Sequence, residues 1–393
     1  MPNAIPISQG IHWTGVRDYD LRTFDIIMES PNGTTYNAYL VQGASKTALI
    51  EIAKEGFFDE FLARLQTVCD PATIDYIIVN HTEPDHAGAL KALLSLCPNA
   101  TVCGSATALR FLSNITNTAF PQQAVKDGDT LDLGGKTLRF IAAPFLHWPD
   151  SMYTYCPEAE VLFTCDSFGC HYCAEPMFND ELSGDFHDAY AYYFKHILAP
   201  FKPHVLSALD KIKDLPLRAI CPGHGPMLRA DIPKYLEMYR TWSTPAQSPP
   251  RAAILYVSAY GYTARLAKAI AEGLQSEGVP ADLFDLVTCD KATAYAAMDS
   301  AAIIAFGSPT LVGDALPPIW EAIAHLNPII HKGKIAAAFG AYGWSGEAVP
   351  NITARLTQLK FKMPCEPLRV VFNPTEADLE AAHSMGKALA QAL

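Results

Sequence analysis

The sequence His81-Thr82-Glu83-Pro84-Asp85-His86 places four potential metal ligands within six residues. It directly follows the apolar run Ile74–Asn80, which is typical of a strand. A loop of this composition at a strand end can hold two metal ions side by side. In an ordinary polar loop, the same two carboxylates and two histidines would lack partners, which is costly for any that are buried. We therefore predict a metal site here.

Ligand-type side chains recur in three later blocks, which are Leu146-His147-Trp148-Pro149-Asp150-Ser151, Thr164-Cys165-Asp166-Ser167 and Pro222-Gly223-His224-Gly225. In order and approximate spacing, the four blocks resemble the metallo-β-lactamase superfamily, whose usual signature is His-x-His-x-Asp-His. The resemblance implies that the metal ligands are His81, Glu83, Asp85, His86, His147, Asp166 and His224.

Glu83 replaces the second histidine of that signature, and the replacement has chemical meaning. Zinc suits imidazole and thiolate, whereas a pair of redox-active irons is better served by oxygen donors with a carboxylate bridging between them. Four histidines with three carboxylates therefore favour two irons over zinc.

The pattern of the chain restarts after the turn-rich stretch Thr244–Pro250. Ala252–Val257 is a continuous apolar run, typical of a buried parallel strand. It leads into Ser258-Ala259-Tyr260-Gly261-Tyr262-Thr263 and then into a helical pattern over Ala264–Ile270. Hydroxyl groups and free amides at a helix N-terminus are suited to hold a phosphate.

Two more loops follow apolar runs in the same half of the chain, after Ile303–Phe306 and after Ala336–Phe339. Three loops at successive strand ends can surround one planar ligand. The arrangement resembles the flavodoxin family, in which the first loop binds the phosphate of FMN and the other two flank the isoalloxazine ring. The resemblance implies contacts to FMN from Ser258, Ala259, Tyr260, Gly261, Tyr262, Thr263, Ser308, Pro309, Thr310, Leu311, Ala341, Tyr342, Gly343, Trp344, Ser345 and Gly346. Tyr262 stands where flavodoxins commonly have Asn, and its backbone amide can still point at the phosphate.

A di-metal lactamase-like half followed by a flavodoxin-like half resembles the flavodiiron proteins, also called A-type flavoproteins. Gly33–Leu40, the Leu-His-Trp-Pro-Asp-Ser block and Gly343-Trp344-Ser345-Gly346 carry the same resemblance. It implies an α/β protein, with an αββα metallo-β-lactamase-like sandwich over residues 1–248 and a flavodoxin-like doubly wound parallel sheet over residues 251–393.

The resemblance also implies a function. A flavodiiron oxidoreductase reduces O2 to water and/or NO to N2O at a non-haem diiron centre. Electrons pass through FMN from an external donor, which can be a rubredoxin, a flavoprotein reductase or reduced deazaflavin. O2 needs four electrons, of which reduced FMN and a diferrous pair supply two each, whereas two NO need only two.

By the same resemblance, one iron is bound by His81, Glu83 and His147, the other by Asp85, His86 and His224, and Asp166 bridges them. In some relatives water displaces the histidine that matches His86, so its role as a direct ligand stays open.

Three more residues are candidates for positions close to the metals. Tyr193 resembles a family tyrosine near the metals, and His171 follows Asp166 closely. Asp25 follows Arg22-Thr23-Phe24 where most members have His, so the role of that histidine does not carry over. Cys170-His171-Tyr172-Cys173 has no second Cys-x-x-Cys pair at ligand spacing, so we interpret its cysteines as structural and expect no fused rubredoxin.

Composition restricts the alternatives. The chain has 393 residues, half of them hydrophobic, which suits two or three domains. A formal charge of −12 without basic clusters argues against nucleic acid and against an anionic membrane surface. With no bilayer-spanning run and no signal-peptide pattern, we expect a cytoplasmic protein whose ten cysteines form no disulfide framework.

In flavodiiron proteins the flavin of one subunit lies close to the metals of its partner. The resemblance therefore implies a head-to-tail homodimer, or a homotetramer that contains it.

Two other functional classes stay open. One is a zinc-dependent hydrolase of the lactamase type, against which Glu83 and the flavin loops speak. The other is a flavodoxin-like electron carrier, which retention of all seven ligands opposes.

Overall fold

A computed structural model describes residues 3–245 and 249–393. The chain divides into two compact units, Met1–Pro245 (unit 1) and Ala246–Leu393 (unit 2). The predicted end of the first domain at residue 248 lies outside the described residues, so that boundary stays a prediction.

Unit 1 contains sixteen strands and seven α-helices within its described residues. The strands are β1 (Ile5–Ser8), β2 (Ile11–Trp13), β3 (Val16–Asp18), β4 (Thr23–Phe24), β5 (Met28–Glu29), β6 (Thr34–Tyr36), β7 (Tyr39–Gln42), β8 (Thr47–Ile50), β9 (Tyr76–Ile78), β10 (Thr101–Gly104), β11 (Gln122–Ala124), β12 (Thr130–Asp132), β13 (Thr137–Ala142), β14 (Met152–Cys156), β15 (Val161–Cys165) and β16 (Ala219–Pro222). The helices are α1 (Phe58–Leu65), α2 (Pro84–Ala87), α3 (Leu90–Leu94), α4 (Ala106–Thr116), α5 (His187–Tyr193), α6 (Lys202–Ile212) and α7 (Ile232–Ser243).

Two large sheets form the centre of unit 1. One has seven strands in the order β1-β2-β7-β8-β9-β10-β11, and the other has five in the order β12-β13-β14-β15-β16. Because side chains alternate along a strand, Ala48 and Ile50 join one hydrophobic core while Leu49 between them joins the other. Sheet thus packs on sheet, and helices cover the outer faces, as the predicted αββα sandwich requires.

The strand ends determine where the ligand blocks meet. β15 and β16 are parallel, and β13 runs in the same direction because β14 is antiparallel to both of its neighbours. His147, Asp166 and His224 follow the carboxyl ends of these three strands, and the block from His81 follows the carboxyl end of β9 in the other sheet. All four blocks therefore emerge at strand ends where their side chains can converge.

The block from His81 is not entirely a loop. Its second half forms the short helix α2, which begins at Pro84. Proline favours the first helical position because its fixed φ matches the helix and its missing N–H would have no partner there. The preceding strand is also shorter than predicted, since β9 covers Tyr76–Ile78 within the apolar run Ile74–Asn80.

Unit 2 alternates strands and helices. Its elements are β17 (Ala252–Tyr256), α8 (Tyr262–Ser276), β18 (Ala281–Asp285), α9 (Lys291–Ser300), β19 (Ile303–Gly307), α10 (Pro317–His325), α11 (Pro328–His331), β20 (Ile335–Tyr342), α12 (Ala348–Gln358), β21 (Leu368–Val371) and α13 (Glu376–Gln391).

The five strands of unit 2 form one parallel sheet in the order β18-β17-β19-β20-β21. Successive residues of β17, such as Ala253 and Ile254, enter hydrophobic cores on opposite faces of the sheet. Burial on both faces explains the continuous apolar runs seen in the sequence. This is the predicted doubly wound sheet, with ligand-binding loops expected at the carboxyl ends of the strands.

Within the described residues, no helix combines the length and the apolar character that crossing a bilayer would require.

Candidate metal centre and flavin cleft

The seven predicted ligands meet in unit 1 in two adjoining groups, which we call the metal cluster. His81, Glu83, His147 and Asp166 form one group, in which one donor atom from each residue lies within 4.8 Å of all the others. The second group, formed under the same limit, contains Asp85, His86 and His224. Glu83 and His147 retain slight side-chain exposure, 11 and 14 %, whereas the other five residues are buried.

Asp166 faces both groups. Its Oδ2 lies 3.2 Å from His147 Nε2 and 3.4 Å from His81 Nε2, while its Oδ1 lies 3.0 Å from His86 Nε2 and 3.5 Å from His224 Nε2. One carboxylate thus presents one oxygen to each set of histidines. This is the arrangement expected of a ligand shared by two metal ions.

The polar atoms of the cluster fit metal ions better than they fit each other. Asp85 Oδ2 is 3.1 Å from His224 Nε2, yet both oxygens of Asp85 and Oδ2 of Asp166 have no hydrogen-bond partner among the described residues. Donor atoms on one ion are about 3.0 to 3.4 Å apart when each bond is about 2.1 Å long. Buried carboxylate oxygens left without partners are costly, and bound cations would satisfy them.

Backbone and side-chain acceptors hold the far sides of two cluster histidines. His81 Nδ1 lies 3.2 Å from Asp150 Oδ2, which also accepts hydrogen bonds from the amide and the hydroxyl of Thr82, both at 2.8 Å. His224 Nδ1 lies 2.7 Å from the carbonyl oxygen of Thr35. Such contacts fix the ring orientation and direct Nε2 toward the metal. Sequence reasoning assigned these residues no role, although Asp150 and Thr35 lie within two of the quoted motifs.

Glu51 is a further buried acid that sequence reasoning missed. It forms a third group with His86 and Cys165, and its Oε1 accepts a hydrogen bond from the amide of Asn80 at 2.8 Å. Burial raises the pKa of Glu51 to about 8, although His86 and the Asn80 amide act in the opposite direction. Its backbone lies in the left-handed region, at φ 60°. No motif marked this position, because Glu51 lies far from His86 in sequence.

The backbone of Gly223 approaches the ring of His86 closely. A Cβ atom on Gly223 would lie 2.7 Å from Cε1 of His86. Any side chain at this position would therefore displace either the ring of His86 or the strand end that carries His224.

Mutual attraction shifts the pKa values of the protein groups of the cluster. Burial disfavours charge on His86, but Asp85 and Asp166 outweigh it and raise the pKa of His86 to about 9. Burial likewise disfavours charge on His147, and Asp166 and Glu83 raise its pKa to about 9. Despite its own burial, Glu83 has a pKa lowered to about 2 by His147 and His81. The cluster is thus a set of paired opposite charges, in which a cation can replace protons.

The loops at the carboxyl ends of the unit 2 strands enclose a cleft of about 270 Å³, which we call the flavin cleft. Thirteen of the sixteen predicted residues line it, whereas Gly261, Ser308 and Gly346 do not. Three lining residues were not predicted, namely Val312, Gly313 and Phe372. Phe372 follows the end of β21, so the fourth strand end at this edge of the sheet could have indicated it.

Two features of the cleft suit a flavin mononucleotide. At one end, the N-terminus of α8 lies at Tyr262 and Thr263, where the first amides of a helix have no intrahelical partners and can bind phosphate. At the rim of the cleft, Tyr260 and Trp344 are 82 and 94 % exposed. Large aromatic rings so exposed at the rim of a cleft are suited to cover a planar ligand.

Family models divide the chain where the two sites lie. The model described as ODP family beta lactamase matches residues 34–225, and the flavodoxin model matches residues 254–386. A type A flavoprotein of Rhodobacter capsulatus is 42% identical over 99% of this chain and 91% of its own length. A flavo-diiron protein of Clostridium acetobutylicum is 40% identical over 99% of this chain and 100% of its own length.

The chain belongs to the flavodiiron protein family. Another relative, the nitric oxide reductase of Moorella thermoacetica, is 36% identical over 99% of both chains. Among solved structures, rubredoxin oxygen:oxidoreductase from Desulfovibrio gigas matches 99% of this chain and 98% of its own, with 32% identity and a TM-score of 0.70.

Membership confirms the predicted fold and cofactor classes. As a flavodiiron protein, the chain is an oxidoreductase with FMN in a flavodoxin-like domain and a non-haem diiron centre in a metallo-β-lactamase-like domain. The comparisons do not favour the alternatives of a zinc hydrolase or a simple electron carrier.

Three residues beside the metal cluster of this flavodiiron protein were predicted from sequence. His171 Nδ1 lies 2.9 Å from the hydroxyl of Thr34, and its ring centroid is 5.0 Å from that of His224. Burial lowers the pKa of His171 well below its usual range. Tyr193 is buried, with its ring centroid 6.0 Å from that of His224.

Asp25 lies at the exposed turn between β4 and β5, with φ 46°. Partial burial and then the neighbouring carboxylates of Glu83 and Asp85 raise the pKa of Asp25. Asp25 therefore adds an acid at the edge of the metal cluster, next to Glu83 and Asp85.

The Cys-x-x-Cys pair forms no disulfide. Cys170 is buried, Cys173 is half-buried, and all ten cysteines of the chain, none of which falls outside the described residues, are free.

Proposed function

We propose that this flavodiiron protein reduces O2 to water or NO to N2O at the metal cluster, with electrons delivered through FMN from an external donor protein. The observation that carries the proposal is the position of Asp166, whose two oxygens face two separate sets of histidines. The names of two relatives support the two substrates, since one is a nitric oxide reductase and the other a rubredoxin oxygen:oxidoreductase.

In this proposal the seven residues of the cluster are the metal ligands. His81, Glu83 and His147 hold one iron, Asp85, His86 and His224 hold the other, and Asp166 is shared. His86 is included as a direct ligand because its Nε2 lies 3.0 Å from the shared carboxylate and 3.5 Å from Asp85 Oδ2. When bound, the irons and the flavin supply the electrons that convert the gas to its product.

The protein groups around the cluster have a separate task. Asp150 and the carbonyl of Thr35 keep His81 and His224 in position, so that Nε2 of each points into the cluster. The buried rings of Tyr193 and His171 exclude bulk water from the side of His224. Exclusion of water strengthens the electrostatic interactions between carboxylates and cations inside the site.

The loops of unit 2 hold FMN in the flavin cleft. The N-terminus of α8 receives the phosphate, with the hydroxyl of Thr263 beside it. Loops Pro309–Gly313 and Ala341–Ser345 contact the ring system, and Phe372 adds a contact from the fourth strand end.

We further propose a cytoplasmic head-to-tail homodimer, alone or as half of a tetramer, in which the flavin of one subunit serves the metals of its partner. A rubredoxin, a flavoprotein reductase or reduced deazaflavin is the proposed donor.

A mixing experiment tests the head-to-tail arrangement. It combines His81→Ala/Asp166→Ala chains, which should lack metals, with Thr263→Trp chains, which should lack flavin. Heterodimers should recover activity that neither parent homodimer has. Verified heterodimers with no recovery would show that the proposed arrangement is wrong.

Steady-state rates with O2 and with NO, under one reductant and on anaerobically prepared protein, test the proposed reaction. We expect about two irons and one FMN per chain and turnover of at least one gas. Asp166→Asn should lose this turnover, whereas Asp210→Asn, which changes an exposed carboxylate paired with Arg240, should keep it. A fully active protein that contains zinc and no iron would exclude the proposal.

A further inference from the structure

A second cavity, of about 190 Å³, lies beside the metal cluster in unit 1. We call it the side cavity. Its interior is formed by the rings of His171, Tyr192 and Tyr193 and by the methyl group of Ala189, whereas Pro31 and Asn32 line it from exposed positions. None of the cluster's ligands belongs to its lining.

The floor of the side cavity lies next to His224 of the cluster. His171 and Tyr193 line the cavity, and their ring centroids lie 5.0 and 6.0 Å from that of His224, on the other side. The two rings meet edge to face, with centroids 4.9 Å apart. These two rings, with Thr34 beside them, therefore separate a small molecule in the cavity from His224 of the cluster.

The side cavity opens to solvent. Glu29, at the end of β5, and Asp188, in the first turn of α5, are exposed and also belong to its lining. Polar groups thus mark the mouth, while the rings of His171 and Tyr193 form the interior. This arrangement of polar and ring groups admits a small uncharged molecule and disfavours an ion, which would lose its hydration inside.

The cluster itself reaches the surface elsewhere. Glu83 and His147 have the largest side-chain exposure in the cluster, 11 and 14 %, so the flavin of a partner subunit can approach the metals from their side. A gas that entered from the same side would compete with that flavin domain for one surface. Entry through the side cavity would leave both approaches open at the same time.

We propose that the side cavity is a binding and entry site for a small, uncharged diatomic gas. The proposal rests on the proposed reduction of O2 or NO and adds the route by which the gas reaches the cluster. Cavities with apolar walls bind xenon, which behaves as a probe for such gases, and the interior between Ala189 and the tyrosine rings offers walls of this kind. The gas binds between Ala189 and the rings of Tyr192 and Tyr193. From there it passes beside His171 to the cluster.

Helix α5 offers a matched pair of variants. Ala189 lines the side cavity, whereas Ala191, two residues along the same helix, is exposed and outside it. Ala189→Phe should fill the cavity, and Ala191→Phe adds the same ring to the same helix without filling it. Ala189→Leu is a smaller filling variant, which carries the test if Ala189→Phe does not fold.

Two measurements on the full chain, loaded with iron and FMN, test the proposal. In crystals under xenon pressure, we expect xenon in the side cavity of wild type and Ala191→Phe and none in Ala189→Phe. In stopped-flow experiments on the reduced protein, we expect the association rate of NO to fall about tenfold in Ala189→Phe and to stay unchanged in Ala191→Phe. Metal content, flavin content and the rate of flavin reduction should be equal in all variants.

Two results would overturn the proposal. One is a wild-type cavity that holds ordered waters and excludes xenon. The other is an unchanged NO association rate when the filling side chain has removed the xenon site. Failure of the proposed function would look different, because iron-loaded wild type would then react with neither gas although xenon still occupied the cavity.

Discussion

The metal cluster and the flavin cleft are built on opposite principles. The cluster consists of side-chain atoms, most of them fully buried, whose identities cannot change without loss of a donor. The cleft consists of loops at strand ends, with an exposed rim at Tyr260 and Trp344 and the N-terminal amides of α8 on one side. One residue should therefore be decisive in the cluster, whereas the cleft should tolerate substitution of most single residues.

The largest expected effect comes from Asp166→Ala. Removing the carboxylate that faces both groups leaves two cations to repel each other without a shared anion, so we expect metal affinity to fall by at least about 100-fold. FMN content should stay at the wild-type level. Metal analysis and flavin absorbance on the same sample measure both. If this variant kept its full iron content, metal binding by the cluster would not depend on Asp166.

Thr263→Trp should have the reverse effect. Thr263 is buried at the N-terminus of α8, where an indole would occupy the space proposed for the phosphate. We expect FMN to be lost and the metals to be retained. Thr357→Trp, on an exposed position of α12, is the control and should keep its flavin. Retention of FMN by Thr263→Trp would place the phosphate elsewhere.

Asp150→Asn tests the support behind the cluster. An amide in place of the carboxylate weakens the contact to His81 Nδ1, and we expect metal affinity to fall by about 10- to 100-fold. Chelator competition measures the affinity, and Asp180→Asn, an exposed partner of Arg229, serves as control. If both variants bind metal equally well, Asp150 does not position His81.

The pH dependence of metal uptake should further distinguish the metal cluster from the flavin cleft. With pKa values of about 9, His86 and His147 carry protons at pH 7 when no metal is bound, and a protonated nitrogen cannot bind a metal. Uptake must therefore release protons. The apparent affinity should rise as the pH increases toward 9, by about tenfold per pH unit for each proton released.

Calorimetry in buffers with different ionisation enthalpies counts the protons released. FMN binding, measured over the same range, should show no rise of this kind. A metal affinity independent of pH between 6 and 9 would contradict the paired-charge description of the cluster.

Trp344→Ala should have the smallest effect. Its ring is almost fully exposed at the rim of the flavin cleft, so it can only cover one face of the bound ring system. Loss of one aromatic contact of this kind costs about 1 kcal/mol, which corresponds to about a fivefold higher Kd for FMN. Fluorescence titration of the flavin measures it. A complete loss of FMN would show that the cleft, too, depends on a single side chain.

The same contrast explains what the sequence could predict. Metal ligands are recognised by residue type, so all seven cluster residues could be named before the structure was known, and the structure brings all seven together. Their supports could not be named in the same way. Glu51 and Thr35 reach the cluster only because distant strands pack beside it, and no local pattern encodes that approach.

In the flavin cleft, the sequence located the loops but not the individual residues that line the cleft. Parallel strands end at one edge of a sheet, so the three loops could be located from the sequence, but a loop's backbone determines which of its residues face inward. Gly261 and Gly346 both have positive φ and shape their loops without lining the cleft. Val312 and Gly313 line it because a tight turn follows Leu311, which the apolar pattern did not reveal.

Counting gas consumed by fully reduced protein tests the central claim most directly, namely that the cluster and the flavin act as one reducing system. Each chain with reduced FMN and two ferrous ions holds four electrons. We predict that it consumes one O2 without releasing peroxide, or converts four NO to two N2O, and that Asp166→Ala, with its flavin alone, releases peroxide on exposure to O2. Stoichiometric peroxide from wild type, or no consumption of either gas by iron-loaded protein, would contradict the account.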